Sequence, residues 1–393
     1  MLPPCYAWRL SVGETIFYGC AYDELTEHRL LERVFMAKRI LLTGGGSAGH
    51  VTPHLALLPR LKAEGFEIHY VGTADGIEHK LMTAREGVTY HTISAGKMRR
   101  YFSLKNFTDP FRVVKGYFQS RRIIKNVAPD VVFSKGGFVS LPVVFAAYKK
   151  APVVTHESDY TPGLANRLIA KRADKICVTF EDTLNFVGAK GVHTGTPIRP
   201  ELYSGSGEDG LKHLGFSGEK PVLLVMGGSQ GAKAINDVVR EALPALLARF
   251  DVVHLCGAGK LDETLHAVGY VQYEYMSDAL PNVFAAADIV VSRAGANSVF
   301  EFLALAKPAL LIPLPLSASR GDQILNAGYF ARKGYAAVLE QEKLTPETLA
   351  EAVEELFTNR LSYIARMSAD ALADGTDEVL NVIREAMERA KKK

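Results

Sequence analysis

Cysteine is scarce in this chain. Cys5, Cys20, Cys177 and Cys256 are the four among 393 residues, and no two stand at C-x-x-C spacing, so the sequence suits a reducing cytoplasm, with neither a disulfide framework nor a zinc site. Long apolar runs are missing too. "PALLIPLPL" is far shorter than the roughly 18 residues of a spanning helix and is broken by prolines, which argues against a membrane span and leaves contact with a membrane surface open. Neither sign of charge dominates: 46 Lys and Arg against 43 Asp and Glu give a formal charge of +3, too little for a nucleic-acid binder. Residues 1–35 lack the basic start, apolar centre and small-residue cleavage site of a secretory signal. Met36 precedes "AKRILLTGGG", the usual shape of a first strand, so 1–35 is expected to be an extension of uncertain role and Met36 the functional start.

What is present is a globular composition, 48% hydrophobic, on a chain too long for one ordinary core and suited to two α/β domains. From Arg39 onward short apolar runs alternate with helical patterns, which argues for parallel sheets covered by helices. Candidate strands are "RILLTG", "EIHYVG", "DVVFSK", "PVVTHE" and "KICVTF"; after the Gly/Ser/Pro-rich stretch "HTGTPIRPELYSGSGEDG" come "PVLLVM", "DVVHLCG", "DIVVSR" and "ALLIPLPL". The restart is informative, because "LLTGGGSAGH" and "LLVMGGSQGA" are each strand, glycine turn and helix. The expected fold is α/β, with two doubly wound Rossmann-like domains facing a central cleft and ligands beyond the carboxyl ends of the strands. The expected boundaries are 36–198, 199–370 and a terminal helix over 371–393, whose closing lysines suit its dipole.

"ILLTGGGSAGHVTPHLAL", Ile40 to Leu57, sets Gly44, Gly46 and Gly49 at G-x-G-x-x-G spacing. Such glycines let backbone N–H groups approach an anionic or polyhydroxylated ligand at the positive end of a helix dipole. A dinucleotide site also wants an acidic residue at the end of the next strand. Here "FEIHYVGT" ends in Gly72 and Thr73, and the first carboxylate, Asp75, is displaced into the loop. His50 stands directly behind the last glycine. A second loop, "GGSQGA", offers Ser229 and the donors of the following helix start to a diphosphate. In "SRAGANSVFEFLALAKPALLIP" a strand delivers Ser292 and Arg293, Gly295 and Ala296 make a turn, and Glu301 stands on the next helix, where a carboxylate can accept both hydroxyls of a ribose. "SASRGDQILNA" sets Asp322 and Gln323 at a loop-to-helix junction, where an amide can read sugar hydroxyls. The segment from Gly96 to Asn126 carries Lys97, Arg99, Arg100, Lys105, Arg112, Lys115, Arg121, Arg122 and Lys125 against Asp109 alone, interleaved with Tyr101, Phe102, Phe107, Phe111, Tyr117 and Phe118. That mixture suits an anionic bilayer surface; packing of the aromatics on the sheet is the plainer alternative.

"GGGSAGHVTPHLAL", "HESDYTPGLANR", "GTPIRP", "GGSQGA", "SRAGANSVFE" and "SRGDQILNA" stand in the order and spacing of the MurG family of bacterial glycosyltransferases, which the chain resembles from Met36 to Lys393. The resemblance implies a GT-B fold, UDP-N-acetylglucosamine as donor, lipid I as acceptor, lipid II as product and inversion at the anomeric carbon, with no cofactor. By motif, Ser47, Ala48 and Gly49 would line the donor sugar and the acceptor diphosphate, and Arg199 and Ser229 would contact the UDP diphosphate. Ala296, Asn297, Ser298 and Glu301 would follow the uridine, with Glu301 on the ribose, and Gln323 would hold N-acetylglucosamine hydroxyls. Many members have "HEQN" where this chain has "HESD", so Asp159 replaces a sugar-contacting asparagine with a group that cannot donate as an amide does. The lipid acceptor further implies a peripheral enzyme on the cytoplasmic side of the cell membrane, with 36–198 facing acceptor and membrane and 199–370 binding the UDP-sugar.

With ribose and diphosphate assigned to the second half, the first glycine loop is left to face the acceptor. His50, at a helix start whose dipole disfavours the imidazolium, should stay neutral near pH 7 and take the acceptor hydroxyl proton. Glu157 is the rival base, with His156 orienting it. No D-x-D pair stands in a convincing metal-binding context, so Arg199, helix starts and Ser229 are expected to neutralise the leaving UDP. Three other readings remain at this point: a related UDP-sugar transferase acting on another lipid such as diacylglycerol, a nucleotide-binding dehydrogenase, and a non-catalytic peripheral membrane module.

Overall fold

The structure, a computed structural model, describes residues 7–12, 15–20, 38–96, 105–228, 231–370 and 372–392, the first two segments together with 105–108 and 110 by backbone alone. Ser229, and Lys97, Arg99, Arg100, Tyr101 and Phe102 of the basic segment, lie outside the described residues.

β1 (Ala7–Val12) pairs antiparallel with β2 (Thr15–Cys20), Ala7 opposite Cys20. Two larger sheets follow. The first contains β3 (Arg39–Gly44), β4 (Glu67–Gly72), β5 (Val88–Thr92), β6 (Val131–Gly136), β7 (Val153–Glu157), β8 (Lys175–Val178) and β9 (Gly191–His193), in the order β5-β4-β3-β6-β7-β8-β9. The second contains β10 (Val222–Met226), β11 (Asp251–Leu255), β12 (Tyr270–Tyr273), β13 (Ile289–Ser292), β14 (Ala309–Leu311) and β15 (Ala336–Val338), in the order β12-β11-β10-β13-β14-β15. All strand pairs in both are parallel. Each sheet winds one way, returns to its first strand and winds the other way, so a crevice opens beyond the carboxyl ends of β3 and β6 and of β10 and β13.

Helices cover both faces of each sheet, which is why the central strands read as continuous apolar runs rather than alternating ones. Leu41 and Val132 face Ile124 of the helix Lys105–Val127 and Val143 and Val144 of the helix Gly137–Ala147. Ile40, Leu42, Val131 and Phe133 face Leu57, Leu58 and Leu61 of the helix Thr52–Ala63. In the second sheet Leu224, Val290 and Leu311 meet the helices Ala296–Ala304 and Asp322–Lys333, and Leu223, Val225 and Val291 meet Lys233–Leu246 and Pro346–Thr358.

The terminal helix Thr376–Lys391 starts with Asp377 and Glu378 and ends with Arg389 and Lys391, matching its dipole at both ends. Its Val379, Leu380, Ile383, Ala386 and Met387 form one stripe, and that stripe packs across β6, β7 and β8 of the first sheet, in the core that holds Val131, Phe133, Val154 and Cys177. The chain therefore crosses between the sheets twice, at 194–199 and again at 372–376. The crossings touch: the Gly375 N–H donates to Thr196 O at 2.9 Å. A Cβ on Gly195 would lie 2.6 Å from Leu372 O, and one on Gly375 would lie 2.2 Å from Thr194 O, so the contact requires glycine on both strands. Among the described residues no helix is long and apolar enough to cross a membrane.

Candidate active site

The first glycine loop leaves β3 at Gly44. Gly46 sits at φ +86°, and a Cβ on Gly44 would lie 2.4 Å from His50 O, so the turn closes on itself before the short 3-10 helix Ala48–His50. Thr52 and Pro53 then open the next helix, proline being favoured in a first turn. This brings Ser47, Ala48, Gly49 and His50 to one wall of a cleft of about 380 Å³. His50 is neutral at pH 7, as expected, but for another reason. Burial comes first and the Lys135 ammonium second, together lowering it to about 4, while its hydrogen bond to the Lys135 backbone opposes them. One ring nitrogen on that backbone leaves the other as a lone-pair acceptor.

Lys135 was not foreseen, since a lone lysine closing "DVVFSK" reads as a strand running out to solvent. It is buried, 1% exposed, and its Nζ donates to His156 Nδ1 and Ser158 Oγ. His156 Nε2 lies 2.9 Å from Gly195 O and must donate there, which fixes Nδ1 as an acceptor for the lysine. Burial lowers Lys135 to about 7, against the carboxylates of Glu157 and Asp159.

The expectation that His156 orients Glu157 is corrected here. They are neighbours on β7, and neighbouring strand residues point to opposite faces. Glu157 accepts from Asp159 N at 3.0 Å, Asn166 Nδ2 at 2.8 Å and Gly163 N at 3.2 Å, bracing the turn into the helix Leu164–Ala170. It lines a separate cavity of about 100 Å³ with Thr155 and Asn166, and burial raises its carboxyl to about 7. Asp159 does line the cleft. Its Oδ1 accepts from Asn326 Nδ2 at 3.3 Å, and burial, then Asp322, raise it above the ordinary aspartate range.

The opposite wall comes from the second sheet: Gly228 after β10, then Gly295, Ala296, Asn297, Ser298 and Glu301 after β13. Glu301 is 8% exposed, and Arg199 grips its Oε1 through Nε at 3.2 Å and Nη2 at 3.0 Å. Burial raises the Glu301 carboxyl and the guanidinium pulls it back. The sequence reading had placed these two residues on different parts of a nucleotide, and the structure brings them together. Asn297 Nδ2 donates to Gly49 O at 3.0 Å, spanning the cleft from one glycine turn to the other. Arg293 is turned inward, donating to Ile312 O and Pro313 O. Gln323 Oε1 accepts from Leu314 N at 3.0 Å, and the residue is not among the cleft-lining side chains. Glu274, Tyr275 and Met276 complete the wall. They follow β12, a strand whose polar sequence gave no signal.

The sequence pattern of the glycosyltransferase family 28 N-terminal domain matches residues 40–178, and that of the glycosyltransferase family 28 C-terminal domain matches residues 222–380. The chain belongs to glycosyltransferase family 28. Among relatives of this family 28 chain, a Clostridium tetani protein is 52% identical over 351 residues, 88% of this chain and 98% of its own length. One from Lachnoclostridium phytofermentans is 54% identical over 351 residues, 88% of this chain and 99% of its own. Both carry the name UDP-N-acetylglucosamine--N-acetylmuramyl-(pentapeptide) pyrophosphoryl-undecaprenol N-acetylglucosamine transferase. The crystal structure of Acinetobacter baumannii MurG superposes with a TM-score of 0.69 at 25% identity, over 88% of this chain and 99% of that one. The paired doubly wound sheets of this family 28 chain are thus the GT-B arrangement.

Proposed function

We propose that this chain transfers N-acetylglucosamine from UDP-N-acetylglucosamine to lipid I, undecaprenyl-pyrophosphoryl-N-acetylmuramoyl-pentapeptide, giving lipid II with inversion at the anomeric carbon. The carrying observation is that relatives named for this transfer match across both sheets at 52% and 54% identity. The cleft supports it chemically. Inversion needs an acceptor hydroxyl and a leaving diphosphate on opposite sides of one carbon, and the two walls supply different chemistry for them. On the second wall Glu301 takes the ribose hydroxyls, held in place by Arg199. Gly228, Ser229 and the start of the helix Lys233–Leu246 receive the diphosphate, where charge develops as the glycosidic bond breaks. On the first wall the unprotonated nitrogen of His50 takes the proton of the acceptor hydroxyl. Ser47, Ala48 and Gly49 line the sugar and the acceptor diphosphate, Asp159 faces the sugar from the cleft wall, Gln323 keeps its amide N–H2 for sugar hydroxyls while Leu314 N holds its Oε1, and Glu157 acts through the shape of the turn it braces.

The acceptor's lipid tail sets where the enzyme works. The helix Lys105–Val127 buries Gly116, Ser120 and Ile124, and exposes Phe111, Val114 and Phe118 beside Arg112, Lys115, Arg121, Arg122 and Lys125. An apolar stripe flanked by cations is the composition of an interfacial helix, and it supports peripheral binding to the anionic cytoplasmic face of the cell membrane.

The test offers purified protein labelled UDP-N-acetylglucosamine with a short-chain lipid I analogue or with diacylglycerol. Label should pass to the lipid I analogue with release of one UDP per transfer. Transfer to diacylglycerol alone, or none to either lipid, would overturn the reading.

A further inference from the structure

Glu78, in the first turn of the helix Ile77–Thr83, is 0% exposed. Three glycines cage it: a Cβ on Gly45 would lie 2.6 Å from its Cδ, one on Gly76 2.2 Å from its Oε1, and one on Gly72 2.8 Å from its Cγ. Its Oε1 accepts from Thr73 Oγ1 at 2.6 Å and Thr73 N at 3.2 Å, and its Oε2 accepts from Gly46 N at 3.3 Å. No ion pair to it is found among the described residues. A carboxylate this buried, held by neutral donors, carries a desolvation cost that packing alone does not justify. What the arrangement achieves is specific. The carboxylate ties the turn after β3 to the turn after β4 and turns the Gly46 N–H inward, away from the cleft, so that the following residues, Ser47 to His50, face outward.

We propose that Glu78 is a positioning residue for glycosyl transfer, fixing the loop that carries Ser47, Gly49 and His50. The charged and titratable groups about His50 are Lys135 at the end of β6, Glu78 beneath the loop, His54 on the following helix, and Asp159, Arg199 and Glu301 lining the cleft. Glu78 acts on His50 in the raising direction. Replacing its charge therefore lowers the basicity of His50, and the acid limb of the rate profile moves to lower pH.

The inference rests on the transferase reading, and the wild-type protein separates the two: an inactive wild type sinks that reading, whereas the inference is judged on variants of an active one. Glu78→Gln puts an amide N–H2 where either Thr73 or Gly46 already donates, so one of those bonds must break. Glu78→Gln is expected to lower kcat for the lipid I analogue at least tenfold, to shift the acid limb of kcat/KM downward, and to leave UDP affinity by calorimetry within twofold. Glu78→Asp keeps the charge but shortens the reach, so it should lower kcat several-fold with the acid limb unmoved. It carries the test alone if the glutamine variant does not fold. Unaltered kcat in a folded variant, or loss of UDP affinity in step with kcat, overturns the proposal.

Discussion

Arg199 and Glu301 act as one device. A carboxylate 8% exposed needs its partner, and Arg199 supplies two N–H donors to one of its oxygens, leaving the other oxygen for a ligand. Glu301→Ala should weaken UDP by about 1.5–3 kcal/mol, the range for a hydrogen bond to a charged group. Arg199→Ala should lose much of the same energy, because the buried carboxylate it abandons gains a proton more readily. Calorimetry on the double variant should therefore show a loss at least about 0.5 kcal/mol smaller than the sum of the single losses; additive losses would mean that the two residues serve UDP separately. At this scale the glycine turns were legible, because close backbone approach demands glycine whatever surrounds it. Lys135 and Glu78 were not, since what buries a charge arrives from strands and loops distant in sequence. The separation of His156 from Glu157 was legible: adjacent residues of one strand point to opposite faces, so one does not orient the other.

Among the elements, the helix Lys105–Val127 divides cleanly. Ile124 and Val127 lie inward, while Phe111 is 77% and Phe118 60% exposed, so the aromatics that were expected either to meet a membrane or to pack on the sheet do not all behave alike. Tyr117 packs partly against the core around Ile124. Each cation near an anionic surface contributes about 1 kcal/mol, so changing Arg121, Arg122 and Lys125 to Glu should lower binding to anionic vesicles at low salt by at least about a hundredfold. Transfer to a soluble acceptor analogue should persist. Undiminished sedimentation with the vesicles would remove this helix from membrane docking. Strands show the other limit of sequence reading. The four missed within the large sheets, β5, β9, β12 and β15, are the four sheet edges. An edge strand is covered less fully, so "VTYHT", "GVH", "YVQY" and "AAV" need no apolar run, whereas the central strands, buried on both faces, announce themselves.

The molecule as a whole keeps several histidines out of water and uncharged. His54 and His254 are lowered to about 3 and His50 to about 4, in each case chiefly by burial, and His156 lies well below its ordinary value for the same reason. In the unfolded chain each binds a proton near pH 6.5. Between these limits the unfolded state holds more protons, so the stability each contributes is complete above 6.5 and is lost as pH falls toward 3 or 4. Glu157, raised to about 7, works in the opposite sense between 4.5 and 7. A comparison of wild type with His254→Gln isolates one group that does not line the cleft, hydrogen-bonded to Tyr270 and Asn236. The stability gap between them, from urea unfolding, should narrow by about 1.4 kcal/mol for each pH unit below 6.5. A gap independent of pH would show that His254 is protonated in the folded protein. Packing of the terminal helix across β6, β7 and β8 also imposes an order on biosynthesis. Its apolar stripe leaves the ribosome some 190 residues after the last strand of the first sheet, roughly 10–40 s later at ordinary elongation rates. Throughout that interval the nascent sheet displays the face this helix will cover, so the half of the enzyme made first is the half finished last.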